Sequence, residues 1–385
     1  MKKVVKLVIV FLLVVPHFFI VSNASINQTA FTEINTIHTG SRTTDVCVND
    51  DVLYALDLEY GLQIYDISDP TSPKRLGGYY DSYTFSHGLC YNEELIFIAD
   101  YEDKLEIIDV TDPNSPQLIG RYRETNSDVQ RIGTTNLHIF GNFVFLASQG
   151  EGVEIIDVTD PTHPVEIGNY YVGNSINVVH ATSDLIFIRE QGGSFKILNI
   201  TDPTTPNEIY YCTDVSVGQN FLFMDDSLYI PDSDFGLRIF DITNPSNPVK
   251  IGEKSLDGEC MKCIIETRGS RSYAFLTAMD SGIYVCDVTN PQNVIELAQW
   301  NDGGQSFSPF VQDDLVYVAE FSGGLEILKI EGISHSTEIT SSISDSIFSS
   351  SFITITKTAK ISSFEIFLTI IELIIILMIK KRHLK

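Results

Sequence analysis

The sequence predicts an all-β protein whose main domain, residues 32–331, is a seven-bladed β-propeller of four-stranded blades. One segment occurs in six full copies and one partial copy, at intervals of 42 to 48 residues. Each interval contains four short runs of β-branched and aromatic residues, separated by Asp-Pro, Asn-Pro or Gly, and none has a helical period. Repeats of this length and composition are typical of propeller blades, whereas helical repeats would lack the Asp-Pro breaks.

The second copy shows the repeating unit most clearly. Its four strands are expected at Gly88 to Asn92, Leu95 to Ala99, Leu105 to Val110 and Gln117 to Tyr122, and Asp112-Pro113 separates the last two. Proline suits that turn because it fixes φ and cannot donate a hydrogen bond, and the preceding aspartate can cap the turn with its side-chain oxygen. The copies align at Asp66, Asp109, Asp157, Asn199, Asp241, Asp287 and Lys329.

The two ends of the repeat array predict that the ring is closed by one shared sheet. The seventh copy, Leu325 to Ile330, ends without a fourth strand, while Thr32 to Thr39 precedes the first copy and has no other place in the count. We therefore expect Ile34 to Thr39 to complete blade seven. Such closure leaves only short, protected strand edges.

Residues 1–24 predict a secretory signal peptide. Lys2, Lys3 and Lys6 precede an apolar run from Leu7 to Val21, and small or polar residues follow it. This order of charge, apolar run and small residues is typical of a cleaved signal. An uncleaved membrane anchor is the alternative, because the apolar run is long for a signal.

Residues 361–379 predict one C-terminal transmembrane helix, and the basic residues of 380–385 predict a cytoplasmic tail. A Ser/Thr-rich stalk, 334–360, precedes the helix. Glu372 is costly near the bilayer centre unless it is protonated or paired, which allows for a partner helix. The alternative to a transmembrane helix is an amphipathic or buried C-terminal helix. Together the two ends predict a single-pass protein of the cell membrane with an extracellular propeller.

The net charge excludes one class of partner. With 51 acidic and 25 basic residues the chain has a formal charge of -26, and such a surface repels nucleic-acid phosphate and anionic lipid. We therefore expect no nucleic-acid partner. The sequons at Asn27 and Asn199 are candidate glycosylation sites in an exported chain.

The repeat resembles that of the LVIVD-repeat family of seven-bladed propellers. The resemblance rests on Leu105 to Pro113 and its copies, and it extends over residues 32 to 331. It implies an exported or surface-displayed propeller without an assigned enzymatic activity, and it supplies no family-wide catalytic residues. Asn199, Lys329 and the altered turn after Asp287 depart from the pattern.

The candidate binding site is one mouth of the central channel, where loops between second and third strands meet the linkers between blades. Carboxylates there supply oxygen ligands and charge, and tyrosine supplies a flat platform, so a calcium ion, a sugar or a basic protein segment would fit. The alternative is the solvated surface of an acidic exported domain. The candidate residues are Asp57, Tyr60, Asp100, Tyr101, Gln149, Arg189, Gln191, Asp232, Asp234, Asp280 and Glu320 in the first set of loops, and His87, Asn177 and Gln219 in the second.

The sequence contains no recognised enzyme signature, and we predict neither a catalytic residue nor a metal site. His87, His138 and His180 lie on or near successive inner strands, which spread around a channel instead of converging on one metal ion. The leading hypothesis is a non-enzymatic, membrane-anchored extracellular propeller that binds a protein or glycan at its acidic loops. The alternatives are a carbohydrate-active hydrolase or lyase that uses carboxylates at the channel mouth, and a structural surface-layer component.

Overall fold

The computed structural model describes residues 29–80, 88–101, 103–123, 133–171 and 173–333. These residues contain twenty-eight β-strands, which form seven four-stranded antiparallel sheets. The expected all-β propeller of four-stranded blades is therefore confirmed. In each of the first six blades the chain passes back and forth through four neighbouring strands. The first strands of neighbouring blades contact one another around the centre, as β2 contacts β26 and β10 contacts β14.

The first four blades follow one another along the chain. Blade one consists of β2 (Thr43–Asn49), β3 (Val52–Asp57), β4 (Gly61–Asp66) and β5 (Lys74–Tyr79). Blade two consists of β6 (Gly88–Asn92), β7 (Leu95–Asp100), β8 (Lys104–Asp109) and β9 (Gln117–Tyr122). Blade three consists of β10 (Thr134–Phe140), β11 (Phe143–Ser148), β12 (Gly152–Asp157) and β13 (Val165–Tyr170). Blade four consists of β14 (Ile176–Ala181), β15 (Leu185–Glu190), β16 (Phe195–Asn199) and β17 (Asn207–Cys212).

The last three blades complete the ring. Blade five consists of β18 (Leu222–Met224), β19 (Ser227–Asp232), β20 (Gly236–Asp241) and β21 (Val249–Ser255). Blade six consists of β22 (Cys263–Arg268), β23 (Arg271–Thr277), β24 (Ile283–Asp287) and β25 (Ile295–Trp300). Blade seven consists of β26 (Ser306–Gln312), β27 (Leu315–Glu320), β28 (Gly324–Glu331) and β1 (Ala30–Ile37).

The ring closes as the sequence predicted. β1 pairs antiparallel with β28 and forms the outer strand of blade seven, with Ala30 opposite Glu331 and Ile37 opposite Leu325. The strand begins at Ala30 instead of the expected Ile34, because the pairing extends through Phe31, which is only 9% exposed. The first and last segments of the propeller therefore hold each other in one sheet.

The hydrophobic core lies between successive blades. Ile64 of blade one packs with Ile96 and Ile108 of blade two, and all three are fully buried. Equivalent clusters fill the spaces between the other blades, as where Phe275 of blade six meets Val316 and Leu328 of blade seven. Alternation along each strand places apolar side chains against both neighbours, which explains the nearly continuous apolar runs of the middle strands.

Two side chains cap each turn between the third and fourth strands of blades one to six. In blade two, Asp109 accepts a hydrogen bond from the Thr111 backbone N–H at 2.9 Å, and Asp112 accepts one from the Asn114 N–H at 3.0 Å. The hydrogen bonds from Thr111 hold the pKa of Asp109 below its usual value. The other five blades repeat both bonds, with asparagine as the acceptor at Asn199, Asn244 and Asn290. The expected capping role is confirmed, and it explains the recurrence of this motif.

Glycines in the fourth strands allow the turn of the next blade to approach. A Cβ atom at any of these glycines would overlap the backbone carbonyl of a proline in that neighbouring turn. The pairs are Gly77 with Pro113, Gly120 with Pro161, Gly168 with Pro203, and Gly252 with Pro291. The proline turn and the glycine therefore form one contact between blades.

A buried ion pair lies at the centre of the ring. Lys262 Nζ is 2.9 Å from Asp45 Oδ1, which also accepts the Ser308 hydroxyl at 2.7 Å. Asp45 Oδ2 accepts the Leu89 backbone N–H at 3.1 Å. These residues belong to four different blades, counting Lys262 with the β22 that it precedes. One carboxylate thus links four blades, and loss of either charge alone would leave the other buried without its partner.

The expected signal peptide (1–24), stalk (334–360), transmembrane helix (361–379) and basic tail (380–385) lie outside the described residues. Within the described ranges, no helix has the length and apolar character needed to cross a membrane.

Candidate functional site at the loop-bearing face

The turns that follow the second strands and the linkers that follow the fourth strands emerge on one side of the ring, which we call the loop-bearing face. They share that side because neighbouring strands of a blade are antiparallel. Every candidate ligand-binding residue within the described ranges lies in or beside these loops, whereas the candidate glycosylation site Asn199 ends a third strand on the opposite side. His87 and the sequon at Asn27 lie outside those ranges.

Three candidate aspartates are buried in the turns of this face. Asp57, Asp100 and Asp232 each end a second strand and are at most 1% exposed. The Asp57 carboxylate accepts the backbone N–H groups of Glu59 and Tyr60, both at 2.9 Å. Asp100 and Asp232 accept similar backbone bonds at 2.7 and 3.0 Å. Their oxygens therefore stabilise the loop conformations, and a ligand would meet other side chains first.

The other candidates differ in how far they reach solvent. Glu320 is 5% exposed and accepts the Ser306 hydroxyl at 2.7 Å. Asp280 is exposed and accepts a hydrogen bond from Gln305 in the following linker at 2.8 Å. Tyr60, Gln191 and Asp234 are also exposed, whereas the half-buried candidates are Tyr101, Gln149, Asn177, Arg189 and Gln219.

Arg189 occupies a position that is apolar in the other six blades. It precedes the last residue of β15, where the other second strands have leucine, alanine or proline. Burial lowers the pKa of its guanidinium, and the charge of Glu259 opposes that effect. Its Nε has no hydrogen-bond partner among the described residues. Arg189 thus faces an acidic group from the linker between blades five and six.

Four exposed tyrosines lie at the loop-bearing face. Tyr60 belongs to the turn after β3, and Tyr80 and Tyr171 directly follow β5 and β13. Tyr211 is the penultimate residue of β17. They are the exposed tyrosines of the described residues, at 51%, 58%, 70% and 48% of their surface. Of these four tyrosines the sequence indicated only Tyr60, because the repeat pattern does not show which tyrosine side chains are exposed.

A polar groove crosses this face where blade seven meets blade one. Its volume is about 480 Å³, and three segments line it: the β1–β2 linker, the β3–β4 turn and the β27–β28 turn. Gly40 has a φ of +107°, and a Cβ there would lie 2.9 Å from the Tyr60 ring, so glycine lets that ring lie against the linker beside the groove. The lining residues are His38, Gly40, Ser41, Arg42, Glu59, Ser322 and Gly323.

A second polar position recurs six residues after the end of the second strand in six of the blades. In blade four it is Lys196, which lies 3.2 Å from Glu190. In blade five it is Arg238, which lies 2.8 Å from Asp232. In blade seven the same two positions are Glu320 and Glu326, both acidic. Sequence reasoning missed Glu326, although an alignment of this column would have indicated it.

The acidic pair of blade seven binds protons more tightly than ordinary carboxylates. Burial raises the pKa of Glu320 to about 7, and the charge of nearby Asp302 acts in the same direction against hydrogen bonds from Ser306 and Ser322. Burial and a hydrogen bond with Asp302 raise the pKa of Glu326 to about 9. That same bond lowers the pKa of Asp302. At neutral pH, Glu326 is therefore a protonated donor to an ionised Asp302.

The channel-facing histidines form a stack. The rings of His138 and His180 are 3.8 Å apart, and His138 Nδ1 accepts the Ala181 backbone N–H at 3.2 Å. Burial lowers the pKa of His138 to about 4 and that of His180 well below its usual value. Both rings are neutral near pH 7. Across the described ranges, no three His, Cys, Asp or Glu side chains converge as metal ligands would.

Seven four-stranded sheets, closed by pairing of the first and last strands, define a seven-bladed β-propeller. The LVIVD-repeat model matches residues 40–81, 92–124, 133–172 and 211–253, so the chain contains LVIVD repeats, as its resemblance to that family predicted. The blades without a full match are those whose motifs contain Asn199, Lys329 or the altered turn after Asp287. No curated protein sequence matches the chain.

Solved structures share the fold at low sequence identity. The Cps50 (Swd1) β-propeller domain of Myceliophteria thermophila is 13% identical, with a TM-score of 0.60, over 78% of this chain and 99% of that one. The computationally designed Ika8 protein is 11% identical, with a TM-score of 0.56, over 77% of this chain and 99% of that one. At this identity the likeness supports the fold alone.

Proposed function

We propose that the protein is a non-enzymatic, membrane-anchored extracellular propeller that binds a protein or glycan partner at its loop-bearing face. The export signal and C-terminal anchor expected from the sequence support the location. Candidate sugar acceptors at Asn27 and Asn199 fit an exported chain. Asn199 ends β16 on the opposite face, where its side-chain oxygen accepts the Thr201 N–H of the turn that follows.

One observation underlies the binding proposal: the four exposed tyrosines are all on the side of the ring that contains the polar groove. Tyrosine offers a large flat surface and a polar hydroxyl at low entropic cost, and it is enriched at recognition surfaces. Other large exposed apolar residues, such as Phe140 and Val165, lie towards the opposite face. The asymmetry favours recognition at the loops over a uniformly solvated surface.

The test is an array of glycans and surface proteins probed with residues 25–335. We expect saturable binding that falls at least about tenfold in a Tyr60→Ala, Tyr80→Ala double variant, because aromatic anchors contribute most of the binding energy at such surfaces. Phe140→Ala removes an exposed aromatic residue from the opposite face and is the matched control. A folded protein that binds nothing, or a double variant that binds normally, would contradict the proposal.

Calcium is the cofactor included in this proposal. Exposed Asp234 and Asp280 on the loop-bearing face can supply oxygen ligands, which calcium prefers. The same array is therefore run with calcium and with chelator. Binding that the chelator leaves unchanged would remove calcium from the proposal without affecting partner recognition.

The location has its own test. In cells producing the full chain, external protease should degrade the propeller, and a stop codon after residue 335 should release it into the medium. A truncated chain that remains in the cytosol would contradict export. A full chain that protease cannot reach on intact cells would contradict surface display.

A carbohydrate hydrolase is the second candidate, and the blade-seven carboxyls favour it. Glu320 has a pKa of about 7, and the pKa of nearby Asp302 is lowered. Two carboxyls whose pKa values differ in this way suit the roles of general acid and ionised partner. Against it, Glu320 is only 5% exposed. Turnover of any glycan that disappears in Glu320→Gln, and persists in Glu190→Gln, would favour the hydrolase.

A further inference from the structure

Arg42 differs from the buried cations of this acidic chain because no ion pair of the described residues includes it. The chain has 25 basic against 51 acidic residues. Three cations with little exposure lie close to carboxylates: Lys196, Arg238 and Lys262 are each within 3.2 Å of one. Arg189 is also in no ion pair of the described residues, but it is half-buried and outside the groove. Arg42 is exposed in the groove, and Glu59 of the same groove forms no ion pair with it. The groove therefore contains a guanidinium available to an anion.

An aromatic stack supports this guanidinium. Arg42 Cζ lies 5.0 Å from the centroid of Phe321, whose ring stacks on Phe307 at 5.5 Å. Lys262 Nζ lies 5.8 Å from the centroid of Phe307, but its charge is compensated by Asp45 at 2.9 Å. A planar guanidinium over an aromatic face keeps its N–H groups in the plane, where they can donate two parallel hydrogen bonds. Arg42 is thus preorganised for a carboxylate.

The rest of the groove suits a sugar ring better than an acidic peptide. Tyr60 is 51% exposed and its ring lies against Gly40, a lining residue, so it offers a flat surface beside the groove. The remaining lining consists of small or polar groups, including Ser41 and Ser322, which can pair with hydroxyls. An acidic peptide would bring several carboxylates to a chain of net charge -26, whereas a sugar with a single carboxylate can pair that group with Arg42 and keep its neutral ring towards Glu59.

We propose that the groove between blades seven and one binds the carboxylate of an acidic sugar, a uronic-acid unit of a glycan. Arg42 holds the carboxylate bidentately, and Tyr60 packs against the sugar ring. This inference rests on the proposed function, because it names the ligand class of the same face.

The probes are methyl galacturonide, a single uronic-acid ring with one carboxylate, and its methyl ester, titrated calorimetrically into residues 25–335. This segment includes both β1 and β28, whose pairing closes the ring. We expect the acid to bind at least about tenfold more tightly than the ester, since a charged hydrogen-bonded pair contributes roughly that factor. Arg42→Gln should abolish the difference, Arg42→Lys should retain part of it, and Glu59→Gln should tighten acid binding severalfold. Arg271→Gln, an exposed arginine in the β22–β23 hairpin of the opposite face, should change nothing.

Equal binding of acid and ester, or normal acid binding by Arg42→Gln, would overturn the carboxylate site. Binding of polyglutamate but not of methyl galacturonide, lost in Arg42→Gln, would overturn the sugar assignment. If neither probe binds while the array identifies another ligand that depends on Tyr60 and Tyr80, this inference fails and the proposed function stands. Arg42→Lys keeps the charge and the aromatic contact, so it remains informative if Arg42→Gln fails to fold.

Discussion

Blades four and seven place two side chains at the same pair of positions with opposite electrostatic results. In blade four Glu190 lies 3.2 Å from Lys196, and the pair is compensated. In blade seven Glu320 and Glu326 are both acidic, and burial raises the pKa of each. The backbone geometry is shared, so the difference comes from one residue. A propeller repeat can therefore have an acid in place of a buried base at one position, provided that the acid retains its proton.

Lys196→Glu, which removes the cation of the blade-four ion pair, should lower the free energy of unfolding most. It would place three acids together, because Lys196 also lies 2.9 Å from Glu208, and its side chain is only 15% exposed. We expect a loss of about 3 to 5 kcal/mol in unfolding free energy at neutral pH, the usual cost of an uncompensated buried charge. Urea denaturation measures it.

Lys250→Glu is the matched control for that substitution. Lys250 pairs with Glu253 at 2.6 Å, but both side chains are over 40% exposed. Exposed pairs contribute less than about 1 kcal/mol, so the control should change stability little. If Lys196→Glu were no more destabilising than Lys250→Glu, the ion pair of blade four would not be compensating a buried charge.

A second prediction concerns how stability depends on pH below 6.5, where the buried histidine His138 titrates in the unfolded chain. His138 has a pKa of about 4 in the folded protein against an ordinary 6.5. The unfolded chain therefore takes up a proton before the native state does, and stability should fall as pH drops from 6.5 to 4, by up to about 3 kcal/mol. His138→Asn retains an acceptor for the Ala181 N–H and should flatten this limb. A profile unchanged by the substitution would count against the buried neutral histidine.

Glu326→Gln acts on the other side of the pH profile, where stability falls as pH rises. Folded Glu326 keeps its proton to a pH of about 9, whereas the ordinary pKa is 4.5. Its contribution is fully present below pH 4.5 and is lost as pH rises towards 9, since the unfolded chain releases the proton first. The variant should be about 4 kcal/mol more stable than the wild type at pH 8, relative to their difference at pH 4.5. Parallel alkaline limbs for the two proteins would refute this prediction.

The sequence predicted the fold because its signals are local and repeated. Asp112 and Pro113 specify a turn through their own backbone and side-chain chemistry, and six copies of that turn at regular spacing specify blades. Even the closing strand could be predicted, because an apolar run before the first copy had no other partner. Its bounds shifted since pairing at Phe31 depends on tertiary contact with β28.

The candidate site could be predicted only in part. In the sequence, Asp57 and Asp234 are both acids at the turns that follow second strands. In the structure Asp57 is buried and caps its turn, whereas Asp234 is exposed. Arg42 belongs to no motif, and its importance comes from Phe321, which is distant in sequence. Burial and long-range contact decide which loop residues can meet a ligand, and a single sequence contains neither.

The central claim, that blade seven holds protons where blade four holds an ion pair, is tested most directly by carbon-detected NMR titration of the glutamate carboxyls. Spectra of residues 25–335 are compared with those of Glu320→Gln and Glu326→Gln to assign the two signals. We predict one carboxyl that titrates near pH 7 and one near pH 9. Ordinary titration of both groups below pH 5 would contradict the claim.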